Sequence, residues 1–126
     1  MSREETQNQI ALFHWAAFNE GRFPELQLMY HIPNEGKRSA RQGAELKAMG
    51  LRTGFPDICL PVKRNGCGAL YIELKAPRGH ISAEQKLWIK RLNIGNAACV
   101  CYGWETAAKV ITDYLKGKIP TEEVYK

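Results

Sequence analysis

Gly54-Phe55-Pro56-Asp57-Ile58 and, further along, Tyr71-Ile72-Glu73-Leu74-Lys75 carry the reading of this chain. Each acid belongs to an apolar run, and the segment between the runs is Gly-rich and holds Asn65-Gly66. Asn-Gly between two such runs is a strong signal for a tight hairpin, because both residues tolerate positive φ. Strand side chains alternate between faces, so Glu73 and Lys75 point one way while Ile72 and Leu74 point into a core. If the runs pair, Asp57 comes level with Glu73. That gathers two carboxylates and one ammonium at one edge of a sheet. Hard divalent cations take carboxylate and carbonyl oxygens, and metal-assisted phosphodiester hydrolysis requires such a cluster.

Working outward, the spacing predicts strands over Asp57–Val62 and Ala69–Lys75, with Pro61 marking the first as an edge or a bulge. Pro77 and Gly79 close the second. Ser82-x-x-Gln85 opens a helix running to about Asn93 with a capping-box pattern. Ala97–Tyr102 reads as a short buried strand, Trp104–Leu115 as a helix, and the residues from Gly117 as a frayed tail. On the other side, Ser39–Met49 reads as a helix with Gly50 as its C′ residue. Pro33-Asn34-Glu35-Gly36 is a turn, and Leu26–Ile32 a strand with Leu26, Leu28, Tyr30 and Ile32 on one face. Residues 3 to about 19 form an amphipathic helix on Ile10, Phe13 and Ala17, with Trp15 and Phe18 widening the stripe, ended by Gly21 and Pro24. This order predicts an α/β fold, a mixed central sheet flanked by helices.

The 126 residues suffice for one domain with a single core, and 44% hydrophobic with 25% charged residues is ordinary for a soluble globular protein. No apolar run approaches the roughly 18 residues of a membrane span. The first residues, Met1-Ser2-Arg3-Glu4-Glu5, hold no apolar signal region, so a cytoplasmic location is expected. The net charge of +5 favours a polyanionic partner. Lys37, Arg38, Arg41, Lys47 and Arg52 cluster against Glu45 alone. That run reads either as a solvated helix face or as a surface for DNA backbone contacts, made by these five cations together with Asn34, where Gly36 lets backbone amides approach a phosphate. Such contacts carry no sequence information. Cys59, Cys67, Cys99 and Cys101 include no C-x-x-C pair and read as small buried hydrophobes. Trp88, Tyr102 and Trp104 read as core rather than as stacking platforms. His14 reads as packing or surface and His80 as a loop residue near the acids, while the role of His31 is open.

The ordered set resembles the PD-(D/E)XK nuclease signature. More closely, it is similar to a stand-alone VRR-NUC (virus-type replication-repair nuclease) domain of phage or bacterial type. The residues that carry the resemblance are Glu5-x-x-x-Gln9, Ile32-Pro33-Asn34-Glu35-Gly36-Lys37-Arg38, Gly54-Phe55-Pro56-Asp57, Ile72-Glu73-Leu74-Lys75 with Pro77 and Gly79, and Ser82-x-x-Gln85. It covers roughly residues 4–116. A lone D…ExK arises by chance, so the weight rests on the ordered set.

The resemblance implies a restriction-endonuclease-like core over residues 1–116, with a C-terminal tail at 117–126. It implies a Mg²⁺- or Mn²⁺-dependent DNA endonuclease that leaves a 5′-phosphate. Asp57 and Glu73 would be the metal ligands, joined by the Leu74 carbonyl. Lys75 would position or polarise the attacking water. Glu5 would be an outer acid from the first helix, with Glu4 its rival, and Gln85 would support the water or a phosphate. For Glu5 the other reading is an acid favoured by the helix dipole, and for Gln85 a plain capping box. Small members of this kind resemble Holliday-junction resolvases and act as homodimers, so branched DNA and a second copy are the expected partners. A catalytically silent or partner-dependent DNA-binding module in replication or repair is the alternative.

Overall fold

The computed structural model describes residues 2–33 and 39–126. Its core element is the hairpin. Strand β2 (Ile58–Leu60) pairs antiparallel with β3 (Leu70–Lys75) in the register Ile58↔Ile72, Cys59↔Tyr71, Leu60↔Leu70. The turn has the expected chemistry. Asn65 has φ +44° and Gly66 +86°, and Arg64 and Cys67 exchange both backbone hydrogen bonds, as a two-residue primed turn demands. Pro61 lies just past β2, and the ladder stops there because proline has no N–H to donate.

The sheet has five strands in the order β1-β2-β3-β4-β5. β1 (Tyr30–His31) lies antiparallel to β2, while β4 (Ala97–Tyr102) and β5 (Val124–Tyr125) continue in parallel beyond β3. Helices α1 (Arg3–Phe18) and α4 (Trp104–Leu115) cover one face. Leu12, Ile111 and Tyr114 there meet Ile58, Leu60, Leu70, Ile72 and Leu74 in the main core. The Tyr114 hydroxyl is buried and donates to the Val62 carbonyl at 2.6 Å, and burial pushes its pKa up to about 12. Helix α3 (Ala83–Leu92) covers the other face over a smaller cluster of Ile89, Ala98 and Val100. Helix α2 (Ala40–Ala48) carries the full capping box of Ser39 and Gln42 yet buries no residue. Gly50 follows it at φ +109°, the left-handed stop expected there.

Two expectations change. The segment Leu26–Ile32 is not one strand. Pro24–Leu28 is a 3₁₀ turn, and only Tyr30–His31 pair. Leu26 and Met29 are buried while Leu28 is 54% exposed, which is a spacing of three rather than two. The residues from Gly117 are not frayed over their whole length. The Val100 N–H donates to the Glu123 carbonyl, and Val124–Tyr125 extend the sheet. The helical, hairpin and β4 assignments match within a residue or two at their ends. All four cysteines are free thiols, and Cys59, Cys99 and Cys101 are buried. No helix among the described residues is long and apolar enough to cross a membrane.

Candidate active site

Extending the β2–β3 register by one step places Asp57 opposite Glu73. Ile32 joins the same row on the far side, its N–H donating to the Asp57 carbonyl at 2.6 Å, and Val100 on β4 and Val124 on β5 continue it. Asp57, Cys59, Tyr71, Glu73 and Lys75 point to the α3 face, while Ile58, Ile72 and Leu74 point into the main core. The acids therefore lie at the C-terminal end of the central strand, not at an edge of the sheet. They are also deeply set: Asp57 is 3% exposed, Glu73 1% and Lys75 6%.

Buried charge is tolerated only with partners. Asp57 Oδ2 accepts the Leu74 N–H at 3.0 Å. Lys75 Nζ stands 3.5 Å from Glu73 Oε2. Gln85 does two jobs at once. Its Oε1 accepts the Ser82 N–H at 2.9 Å while the Ser82 hydroxyl accepts the Gln85 N–H, completing the capping box of α3. Its Nε2 donates to Glu73 Oε2 at 3.2 Å. The capping box is formed, and it fixes the carboxamide that faces Glu73. Gln85→Glu keeps the cap acceptor but replaces the donor with a third carboxylate, partly buried beside the other two. It is expected to lower stability by about 1–3 kcal/mol, read as the shift in a urea midpoint.

The N–H and C=O of one strand residue point to the same neighbour. Because the Leu74 N–H faces Asp57, the Leu74 carbonyl faces that side as well. Asp57, Glu73 and this carbonyl form an all-oxygen donor set. Among the described residues no third carboxylate, histidine or thiol joins the two acids in a metal-sized group. The remainder of a shell would come from backbone, water or phosphate, the habit of a hard ion such as Mg²⁺. The donor set fits such an ion.

Glu5 is not brought into this group. It sits in the first turn of α1, where its N–H is capped by the Ser2 hydroxyl at 3.1 Å and where an acid suits the helix dipole. Of the expected DNA contacts, Arg41 and Lys47 lie on α2 and Arg52 in the loop after it, all exposed. Asn34, Lys37 and Arg38 lie outside the described residues.

The sequence assigns no role to two further contributors. His31 Nδ1 is 3.0 Å from the Asp57 carbonyl, and since a carbonyl only accepts, Nδ1 is the protonated nitrogen. Its position follows from the β1–β2 register, set by residues far apart in sequence. Gly54, at φ +84°, lets the strand entry pass against the first turn of α3, where a Cβ would come within 2.6 Å of Glu84 Cβ and 2.9 Å of the Gln85 nitrogen. Behind it Phe55 packs edge-on against Tyr71 and Trp88, with ring centroids 5.5 and 5.1 Å apart, and the Trp88 indole N–H donates to the Thr53 carbonyl at 3.1 Å.

A mixed sheet with helices on both faces, an Asp at the entry of one hairpin strand and Glu-x-Lys on the next define the class: an α/β core of the PD-(D/E)XK type. The chain belongs to the VRR-NUC domain family, whose model matches residues 3–104, and it is thereby a nuclease-type, DNA-processing domain. Among solved structures it is similar to a VRR_NUC domain protein, with a TM-score of 0.77 and 24% identity over 100% of this chain and 95% of that one. That likeness is one of fold. No curated protein is similar enough to match.

Proposed function

We propose that the chain is a metal-dependent DNA endonuclease acting on branched DNA, with Asp57, Glu73 and the Leu74 carbonyl as the holders of Mg²⁺ or Mn²⁺. The observation that carries the reading is the placement of Asp57 opposite Glu73, both buried, with Lys75 3.5 Å from Glu73. Two buried carboxylates brought face to face repel one another, so a fold that needed only packing has no reason to hold them there. A bound divalent ion would polarise the scissile phosphate and lower the pKa of a coordinated water.

The chain's own residues do the rest. Asp57 is held by the Leu74 N–H at its side chain and by Ile32 and His31 at its carbonyl, so its carboxylate is fixed in direction. Lys75 supplies a cation beside Glu73, suited to orienting a water and to offsetting charge that builds on the phosphate. Gln85 steadies Glu73 from α3, and Glu5 serves as an outer acid. Asn34, Lys37, Arg38, Arg41, Lys47 and Arg52 make contacts to the DNA backbone, with a marked salt dependence. The expected substrate is a four-way junction, cut by a homodimer whose two-fold axis matches that of the DNA.

The test uses labelled four-way junction, splayed-arm and linear duplex DNA with Mg²⁺, with Mn²⁺ and with chelator. Paired, metal-dependent cuts in the junction are expected. Lys75→Ala should slow cleavage by about a hundredfold or more while leaving metal affinity, by calorimetric titration, nearly unchanged. Tight binding without cleavage in either metal overturns the proposal in favour of a silent recruitment module.

A further inference from the structure

Beside the acids, on the outer side of α3, a groove of about 320 Å³ runs between that helix and the end of α2 with its following loop. This is at the lower end of the range of small-ligand sites, about 300–1,000 Å³. Glu84, Leu87, Trp88 and Arg91 recur at helical spacing and form one wall, while Lys47 and Arg52 stand on the other. The floor is apolar: Leu87 is 45% exposed, and Trp88 is partly exposed. The indole is held in place by its bond to Thr53, by Phe55 at its edge and by the Arg91 guanidinium 5.1 Å from the ring centroid. Three cations rim the groove against one acid, Glu84.

We propose that this groove seats an unpaired stretch of DNA next to the cut, with a base on the Leu87–Trp88 floor and phosphates on Lys47, Arg52 and Arg91. The proposal rests on the nuclease reading above and adds the strand state that the enzyme engages. A positive rim with an aromatic floor is how single strands are gripped without sequence preference. A duplex offers such a floor little, because its base faces are stacked inside and only base edges, sugar and phosphate reach the surface. One wall of the groove also adjoins the helix residue that meets the acids. Gln85, next in sequence to Glu84, touches Glu73, and Trp88 follows within one turn of the helix, about 5.4 Å. A strand passing the carboxylates can therefore run on along α3.

The test is fluorescence anisotropy in chelator with labelled single-stranded oligothymidine, splayed-arm and blunt duplex DNA, in an Asp57→Asn background that holds the DNA uncut. Arg91→Glu and Trp88→Leu are expected to weaken binding of the single strand and splayed arm by about tenfold or more, and of the blunt duplex by less than about threefold. Lys63→Glu makes the same charge change as Arg91→Glu at the far end of the hairpin and should leave all three affinities within about threefold. Trp88 packs against Phe55, so if its variant unfolds, the exposed Arg91 decides. Single-strand affinity unchanged by Arg91→Glu, or duplex affinity falling equally, overturns the groove. If the parent protein still cuts DNA with metal in that case, the nuclease reading stands alone. DNA neither bound nor cut sinks both.

Discussion

Asp57→Asn should abolish cleavage, by about a thousandfold or more, without unfolding the protein. The amide oxygen can still accept the Leu74 N–H that Asp57 Oδ2 accepts at 3.0 Å, and replacing one of two facing carboxylates removes their repulsion. The melting temperature should stay level or rise. Asp57→Ala should lose activity equally but behave differently in the melt. It strips the side-chain acceptor from the buried Leu74 N–H, which costs about 1–3 kcal/mol before relief of the repulsion is counted. Single-turnover cleavage and calorimetry on both variants separate the two effects. An Asn variant that cuts at the parental rate would remove Asp57 from the chemistry.

Gly54→Ala should be the most damaging change of a single methyl group. At φ +84° a Cβ is strained, about 1–2 kcal/mol, and here it would also strike backbone: the Glu84 carbonyl carbon at 2.8 Å and the Gln85 nitrogen at 2.9 Å. Overpacking of this kind adds about 1–3 kcal/mol. The expected loss is about 3 kcal/mol, a fall in Tm of roughly 10 °C, and activity should drop further than stability accounts for. The reason is that α3 can escape only by moving its first turn, which carries the Gln85 carboxamide bonded to Glu73. Gly43→Ala is the control. Nothing lies within 4 Å of that position inside α2, so the same methyl should stabilise by about 0.5–1 kcal/mol. Equal Tm values for the two variants would refute the argument.

The hairpin was legible because its turn chemistry and its face alternation agree, and together they fix a register with no freedom to slip. Asp57 opposite Glu73 follows from that register alone. Helix α3 was legible through Ser82 with Gln85, and α4 spans the Trp104–Leu115 expected of it. What failed has equally local causes. Leu26, Leu28, Tyr30 and Ile32 fit an alternating pattern, but Pro24 starts a 3₁₀ turn and burial then follows Leu26 and Met29. Val124–Tyr125 is too short to announce itself, and its pairing depends on where α4 delivers the chain. Gln85 reads from the sequence as cap or site residue; its amide oxygen completes the cap while its amide nitrogen meets Glu73, because an amide has an acceptor end and a donor end. Glu5 is named by family likeness alone, and the structure sets it in the first turn of α1 with its N–H bonded to Ser2. Trp88 was read as core. It is partly so, held by Phe55 and Thr53, yet it also floors a basic groove whose other wall comes from a distant segment.

The two outermost strands of the sheet, Tyr30–His31 and Val124–Tyr125, are each two residues long. A strand that short offers almost no row of free amides and carbonyls for a neighbour to zip onto, and proteins use such stubs to block runaway edge-to-edge association. Among the described residues, the sheet edges therefore offer little for a second copy to extend. The homodimer proposed above would meet instead through helix surfaces and loops. Such surfaces can shift in angle without breaking a ladder, which would suit the proposed symmetric pair to DNA arms that do not meet at one fixed angle.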